Sequence, residues 1–259
     1  MKIGMFDSGV GGLTVLKECL KVMPYESYFY LGDTARFPYG GKSRKTILKY
    51  SVENSLHLMQ QGIDLLVIAC GTATSQAYDF LQNIFSIPVI GVIEPTVEKV
   101  AKTTQNKRIG VMATRGTIRS RVYQNKLREH IENAKIIAHP CPLIVSLVEE
   151  QVKHPHIIRM IIKESLKPIK KQGVDTLILG STHYPLLESY IQEEMGPDTI
   201  LINQGKACAE KIASTMKTTK KPGHQELCFF VSDDPQRFKS TGEYFLGFPM
   251  KNIKNVIHL

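Results

Sequence analysis

The sequence predicts an α/β protein built as two similar α/β domains, with mainly parallel sheets facing each other across a central cleft. Three observations carry that expectation. Short apolar runs alternate with stretches of helical spacing almost throughout the 259 residues, the pattern of βαβ units. The run from Leu65 to Ala69 passes straight into Cys70-Gly71-Thr72, as a strand buried on both faces does when it opens into a loop. The phrase then recurs: Gln61-Gly62-Ile63-Asp64 leads to Cys70, and Gln172-Gly173-Val174-Asp175 leads to Ser181 at the same spacing.

Taken in order, Lys2 to Phe6 is the first expected strand, followed by the tight loop Asp7-Ser8-Gly9-Val10-Gly11-Gly12 and a helix from Leu13 to Val22. A strand from Tyr28 to Leu31 ends in a loop containing Pro38-Tyr39-Gly40. The stripe Ile47, Leu48, Val52, Leu56 and Met59 marks a helix over Lys45 to Gln61. The Cys70 strand precedes a helix from about Ser75 to Ile84, and Pro88 to Val92 is the next strand. Thr96 to Thr103 and Ile118 to Ile131 read as helices around a strand at Arg108 to Ala113, with Thr114 to Thr117 as loop. Lys135 to Ala138 is a strand. Ile157 to Lys171 is a helix in which Pro168 predicts a kink or an early stop. Thr176 to Leu179 is the Ser181 strand, followed by a helix near Leu187 to Glu194. Thr199 to Ile202 and Glu226 to Val231 are strands. Lys206 to Thr215 and Pro235 to Leu246 are helices, and Thr218 to His224 is a polar surface loop.

Composition excludes several classes of function. The N-terminus has no apolar segment of signal-peptide type, and no run is long enough to span a bilayer. Five cysteines without a Cys-x-x-Cys pair argue against a disulfide framework or a zinc site and for a reducing cytoplasm. The net charge of +9 favours anionic partners. Its clusters, Lys167, Lys170, Lys171 and Lys217, Lys220, Lys221, lack interleaved aromatics, so solvated surface is expected there rather than a nucleic-acid site.

Cys19, Cys208 and Cys228 sit in apolar or helical contexts and read as buried packing residues. Cys70 stands at a strand end among Gly71, Thr72 and Thr74, where chemistry collects in open α/β sheets. Asp7 and Ser8 are candidates to orient or bind beside it. The glycines after Asp7 either serve a turn capped by that carboxylate or offer amides to an anion; their spacing matches neither a dinucleotide fingerprint nor a P-loop. Thr182 and His183 place a hydroxyl and a general acid or base next to Ser181. No Gly-x-Ser-x-Gly elbow marks Ser181 as a triad nucleophile.

Asp7-Ser8-Gly9-Val10-Gly11-Gly12, Pro38-Tyr39-Gly40, Val67-Ile68-Ala69-Cys70, Gly91-Val92-Ile93-Glu94-Pro95 and Thr182-His183-Tyr184-Pro185-Leu186 together resemble the glutamate racemases of the aspartate/glutamate racemase family. The resemblance implies cofactor-free, metal-free interconversion of L- and D-glutamate by two bases on opposite faces of the α-carbon, supplying D-glutamate for peptidoglycan. It assigns Cys70, Ser181, Asp7 and His183 to catalysis. Asp7, Ser8, Tyr39, Gly40, Gly71, Thr72, Thr182, His183 and Glu149 (or its neighbour Glu150) would bind substrate or tune the bases. It also implies discontinuous domains, 1–95 plus 205–259 and 96–204. In two places the chain departs from the family pattern. Gly71 stands where the pattern has Asn, and Ser181 stands where it has the second cysteine, so impaired turnover is expected. The other readings are a racemase for aspartate or another small acid, and a weakly active member that binds DNA gyrase. A homodimer is compatible with the resemblance.

Overall fold

The structure, a computed structural model, describes residues 1–219, 223 and 225–256. Lys220, Lys221 and most of the end of the expected 218–224 loop lie outside the described residues. The elements follow in βα alternation: β1 Lys2–Asp7, α1 Leu13–Val22, β2 Ser27–Gly32, α2 Arg44–Met59, β3 Leu65–Ile68, α3 Gly71–Ile84, β4 Val89–Gly91 and α4 Ile93–Ala101. Then come β5 Arg108–Ala113, α5 Arg115–Ser120, α6 Val122–His130, β6 Lys135–Pro140, α7 Pro142–Glu149, α8 Pro155–Lys170, β7 Thr176–Gly180, α9 Glu188–Met195 and β8 Ile200–Asn203. The chain closes with α10 Gln204–Thr215, β9 Leu227–Val231, α11 Pro235–Leu246 and β10 Ile253–Asn255.

Among the described residues the strands form two sheets, ordered β10-β9-β2-β1-β3-β4 and β6-β5-β7-β8, and every pairing is parallel. The series 2-1-3-4 and 6-5-7-8 have the same order, so the two halves repeat one topology and the first adds β9 and β10 beyond β2. β3 and β7 hold equivalent places, which explains the repeated sequence phrase. Gly62 and Gly173 both take left-handed backbone, with φ of +68° and +62°, where each preceding helix turns back toward its strand. The Asp that follows ties down the start of the neighbouring central strand. Asp64 accepts from the Lys2 N–H at 2.7 Å, and Asp175 from the Gln105 and Asn106 N–H groups at 2.7 and 2.6 Å.

In β1 and β3, side chains alternate between two cores. Ile3, Met5, Leu65 and Val67 join a cluster that continues through α1 and α10 into the second sheet. Phe6, Leu66 and Ile68 face the other way, toward α2 and α3. Both faces are buried, so these strands read as unbroken apolar runs.

Several boundaries differ from the sequence expectation. α3 begins at Gly71 rather than Ser75, because Cys70 itself caps the helix and its sulfur accepts from the Ala73 N–H at 3.4 Å. The expected loop Thr114 to Thr117 is helical, with Thr114 as cap, and a left-handed Arg121 (φ +58°) divides the expected single helix into α5 and α6. Pro168 does not stop α8 early: it lies in the last turn, and the helix runs on to Lys170. Among the described residues, no helix is long and apolar enough to cross a membrane.

Candidate functional site

Parallel sheets place their strand ends and the N-termini of the following helices on one edge. Here the two such edges face each other around a cavity of about 590 Å³. It brings together every residue that the resemblance assigns to catalysis or binding: Asp7, Ser8, Tyr39, Gly40, Cys70, Gly71 and Thr72 from the first half, and Glu149, Glu150, Ser181, Thr182 and His183 from the second.

On the first side, Cys70 is buried with its thiol 3.8 Å from the Ser8 hydroxyl. Burial, and after it the negative charge of Asp7, push the Cys70 thiol up to about 12; the Ala73 and Ser8 hydrogen bonds oppose this. Asp7 is 1% exposed. Its Oδ2 accepts from the Gly9 N–H at 2.9 Å, so the first glycine-loop amide is spent on the protein's own carboxylate. Its Oδ1 is buried with no hydrogen-bond partner among the described residues. Burial raises the Asp7 carboxyl above the usual range, while His183 and the loop amides pull it down.

On the second side, the Ser181 hydroxyl accepts from the His183 N–H at 3.5 Å. The His183 ring is fixed from three directions. Nε2 pairs with Glu149 Oε1 at 2.5 Å, Nδ1 lies 3.4 Å from Thr182 Oγ1, and Phe245 meets the ring edge-on at 5.5 Å. Glu149 on α7 is therefore the acidic partner. Glu150 is exposed at the mouth. The two sides touch directly. Thr14 of α1 donates to the Thr182 carbonyl at 2.8 Å, and a methyl placed on Gly11 would meet His183 Cε1 at 2.6 Å.

Two groups of residues were missed in the sequence. Thr72 shares hydrogen bonds with Thr114 at 2.8 Å and Thr117 at 3.4 Å, so three hydroxyls from the first turns of α3 and α5 join across the cleft. A threonine just after a strand and three residues before another threonine is a capping signal that was readable. The second group surrounds Tyr39. Its phenol is bonded to Asp33 and to Asn54, the latter at 3.0 Å, so the hydroxyl is engaged by the protein itself while Tyr39 lines the cavity. At Gly71, a Cβ would lie 3.2 Å from the Gly180 carbonyl oxygen and 3.6 Å from Gln204 Oε1. A side chain there would set out toward the end of β7. Among the described residues, no group of His, Cys, Asp and Glu is arranged to hold a metal ion.

Residues 15–212 match the family model for Asp/Glu/hydantoin racemases. The glutamate racemase of Geobacter metallireducens is 41% identical over 98% of this chain and 96% of its own length. Among solved structures, a glutamate racemase isoform from Bacillus anthracis superposes with a TM-score of 0.94 at 36% identity, covering 98% of this chain and 96% of that one. The glutamate racemase of Francisella tularensis, solved with D-glutamate, gives a TM-score of 0.89 at 37% identity, covering 98% and 97%.

Proposed function

The chain belongs to the glutamate racemases of the Asp/Glu/hydantoin racemase family, and on that premise we propose that it moves the α-proton of glutamate by side-chain acid–base chemistry alone. D-glutamate for peptidoglycan is the product this implies, made in the cytoplasm. The observation that carries the reading is the pairing of Cys70 with Asp7: a buried thiol at a helix N-terminus beside a buried carboxylate with one unpartnered oxygen. That oxygen is a seat for the substrate ammonium. Ammonium binding cancels the second of the two causes that hold the Cys70 thiol up, and so makes it a better base when substrate is present. The first turns of α3 and α5, with Gly71, Thr72 and the linked threonines, supply amides and hydroxyls for a carboxylate. Ser8, Tyr39, Gly40, Thr182 and Glu149 complete the assigned binding set.

Opposite Cys70, a hydroxyl replaces the expected thiol. Ser181 does not become a base near neutrality without strong help, and His183, backed by Glu149, is the titratable group beside it. The reading is therefore a racemase with one strong face and one weak one. Sheet membership supports dividing the chain as 1–95 with 205–259, and 96–204.

The test follows α-proton loss in deuterated water by NMR for both enantiomers of glutamate and of aspartate. One glutamate enantiomer is expected to take up deuterium with little inversion. Ser181→Cys should raise racemisation by roughly 10²–10⁴-fold, the usual worth of a general acid–base group. Equal interconversion of both enantiomers by the wild type overturns the weak-face reading. Exchange of aspartate without glutamate overturns the substrate.

A further inference from the structure

We propose that Asp33 is a positioning residue that sets one wall of the cavity by clamping the segment from Thr34 to Gly41 against the second half of the molecule. Asp33 follows β2 directly and is 0% exposed. Four side chains from three segments converge on its carboxylate. Arg36 Nε donates to Oδ1 and Oδ2 at 2.9 and 2.7 Å, Ser232 after β9 donates to Oδ1 at 3.0 Å, and Tyr39 OH and Asn54 Nδ2 bond Oδ2, the latter at 3.4 Å. Arg36 carries the network onto α2, bonding Glu53 and Asn54, and its guanidinium stacks 4.0 Å over the Tyr50 ring. The short span between Arg36 and Tyr39 is thus held at both ends by one buried anion. Buried, charge-assisted networks of this kind are rigid when every member is satisfied.

The clamped segment reaches the other half. A Cβ on Gly116 of α5 would lie 3.0 Å from the Gly40 carbonyl oxygen, and a Cβ on Gly40 would lie 3.2 Å from Thr114 Cβ. Thr114 in turn bonds Thr72 in the first turn of α3, two residues from Cys70. Asp33, Tyr39, Gly40, Thr114 and Thr72 therefore form a chain of contacts that ends on the turn assigned above to the substrate carboxylate. Asp33 does not line the cavity itself. It acts through Tyr39 and Gly40, fixing how closely the wall approaches the α5 threonines. Glycine at both 40 and 116 is what makes that approach possible.

This inference rests on the glutamate reading for its kinetic test and on the network alone for its structural one. Asp33→Asn keeps the shape but removes the charge that gathers Arg36 and Tyr39. Tyr39→Phe removes only the phenol. Gly116→Ala pushes on Gly40 from the opposite side, and on Thr72 Cγ2 at 3.1 Å, while leaving the Asp33 hydrogen bonds intact. Asp33→Asn and Tyr39→Phe are expected to raise KM for α-proton exchange of glutamate about tenfold, the size of one lost charge-assisted hydrogen bond, and Gly116→Ala to raise it by crowding, with kcat changing less than KM in all three. Peptide amide hydrogen exchange over residues 34–41 should accelerate in the Asp33 and Tyr39 variants and stay slow in Gly116→Ala. A lowered melting temperature with unchanged KM in both Tyr39→Phe and Gly116→Ala reduces Asp33 to a structural residue and overturns the proposal. Unchanged amide exchange in Tyr39→Phe overturns the clamp whatever the substrate is. If the wild type exchanges no glutamate, the amide-exchange arm still decides the clamp.

Discussion

The resting state of Cys70 can be tested without any substrate. An ordinary thiol titrates at about 8.5, whereas burial and Asp7 push Cys70 up to about 12. At pH 8 that leaves roughly one molecule in 10⁴ as thiolate, one decade for each pH unit below the pKa. Alkylation by iodoacetamide, a small uncharged reagent that needs the thiolate, should therefore quicken about tenfold per pH unit from pH 7 to pH 10, with no plateau. The rate is read from mass spectra of the Cys70 peptide. The other four cysteines, all buried, serve as internal controls. Asp7→Asn separates the two causes. It removes the carboxylate charge and leaves the burial, so the profile should move to lower pH and yet stop short of an ordinary thiol, because burial is the larger cause. A wild-type rate that levels off near pH 9 refutes the picture of a protonated resting thiol. A profile unchanged by Asp7→Asn refutes the assignment of Asp7 as the charge that acts on it.

The remaining predictions concern stability and fit. Cys141 and Cys208 are also pushed up to about 12 by burial. Folded-state pKa values above the unfolded one mean that their contribution is complete below about 8.5 and drains away as pH rises toward 12. Unfolding free energy should fall between pH 9 and pH 11 by on the order of 1 kcal/mol per pH unit for each such thiol, less steeply in Cys208→Ala; a flat urea midpoint over that range contradicts this. Gly11→Ala would drive its methyl into Thr182 Oγ1 and place it 2.6 Å from His183 Cε1. It should cost about 1–3 kcal/mol as overpacking and slow glutamate exchange by displacing the His183 ring. A variant with unchanged melting temperature and rate rules that out.

The fold was largely readable because parallel strands buried on both faces advertise themselves as apolar runs, and the two halves repeat one topology. What escaped was set by contacts distant in sequence or by single backbone conformations. β10, Ile253–Asn255, is a polar, mostly exposed edge strand that, among the described residues, pairs with β9 alone, so no apolar pattern announced it. The division of α5 from α6 depends on one left-handed Arg121, a residue type that does not ask for that conformation. The motifs picked out residues that the fold gathers around one cavity, but not their orientations. Nothing in Pro38-Tyr39-Gly40 says that the phenol points to Asp33, and nothing in Glu149-Glu150 says which carboxylate meets His183; both follow from how α2 and α7 pack.

The order of strands gives the two sheets different histories during synthesis. The second sheet is written continuously, from β5 at Arg108 to β8 at Asn203. The first is not finished until β9 docks beside β2, near the end of the chain. Since domains fold as they emerge, β2, with its Tyr28, Phe29, Tyr30 and Leu31, presents an unpaired apolar edge for as long as the whole second sheet takes to be made. Such edges invite pairing with other chains. A chain ending at Asn203 would hold a complete second sheet beside a first one still open along β2, and truncation there should yield an aggregating product rather than a smaller soluble one.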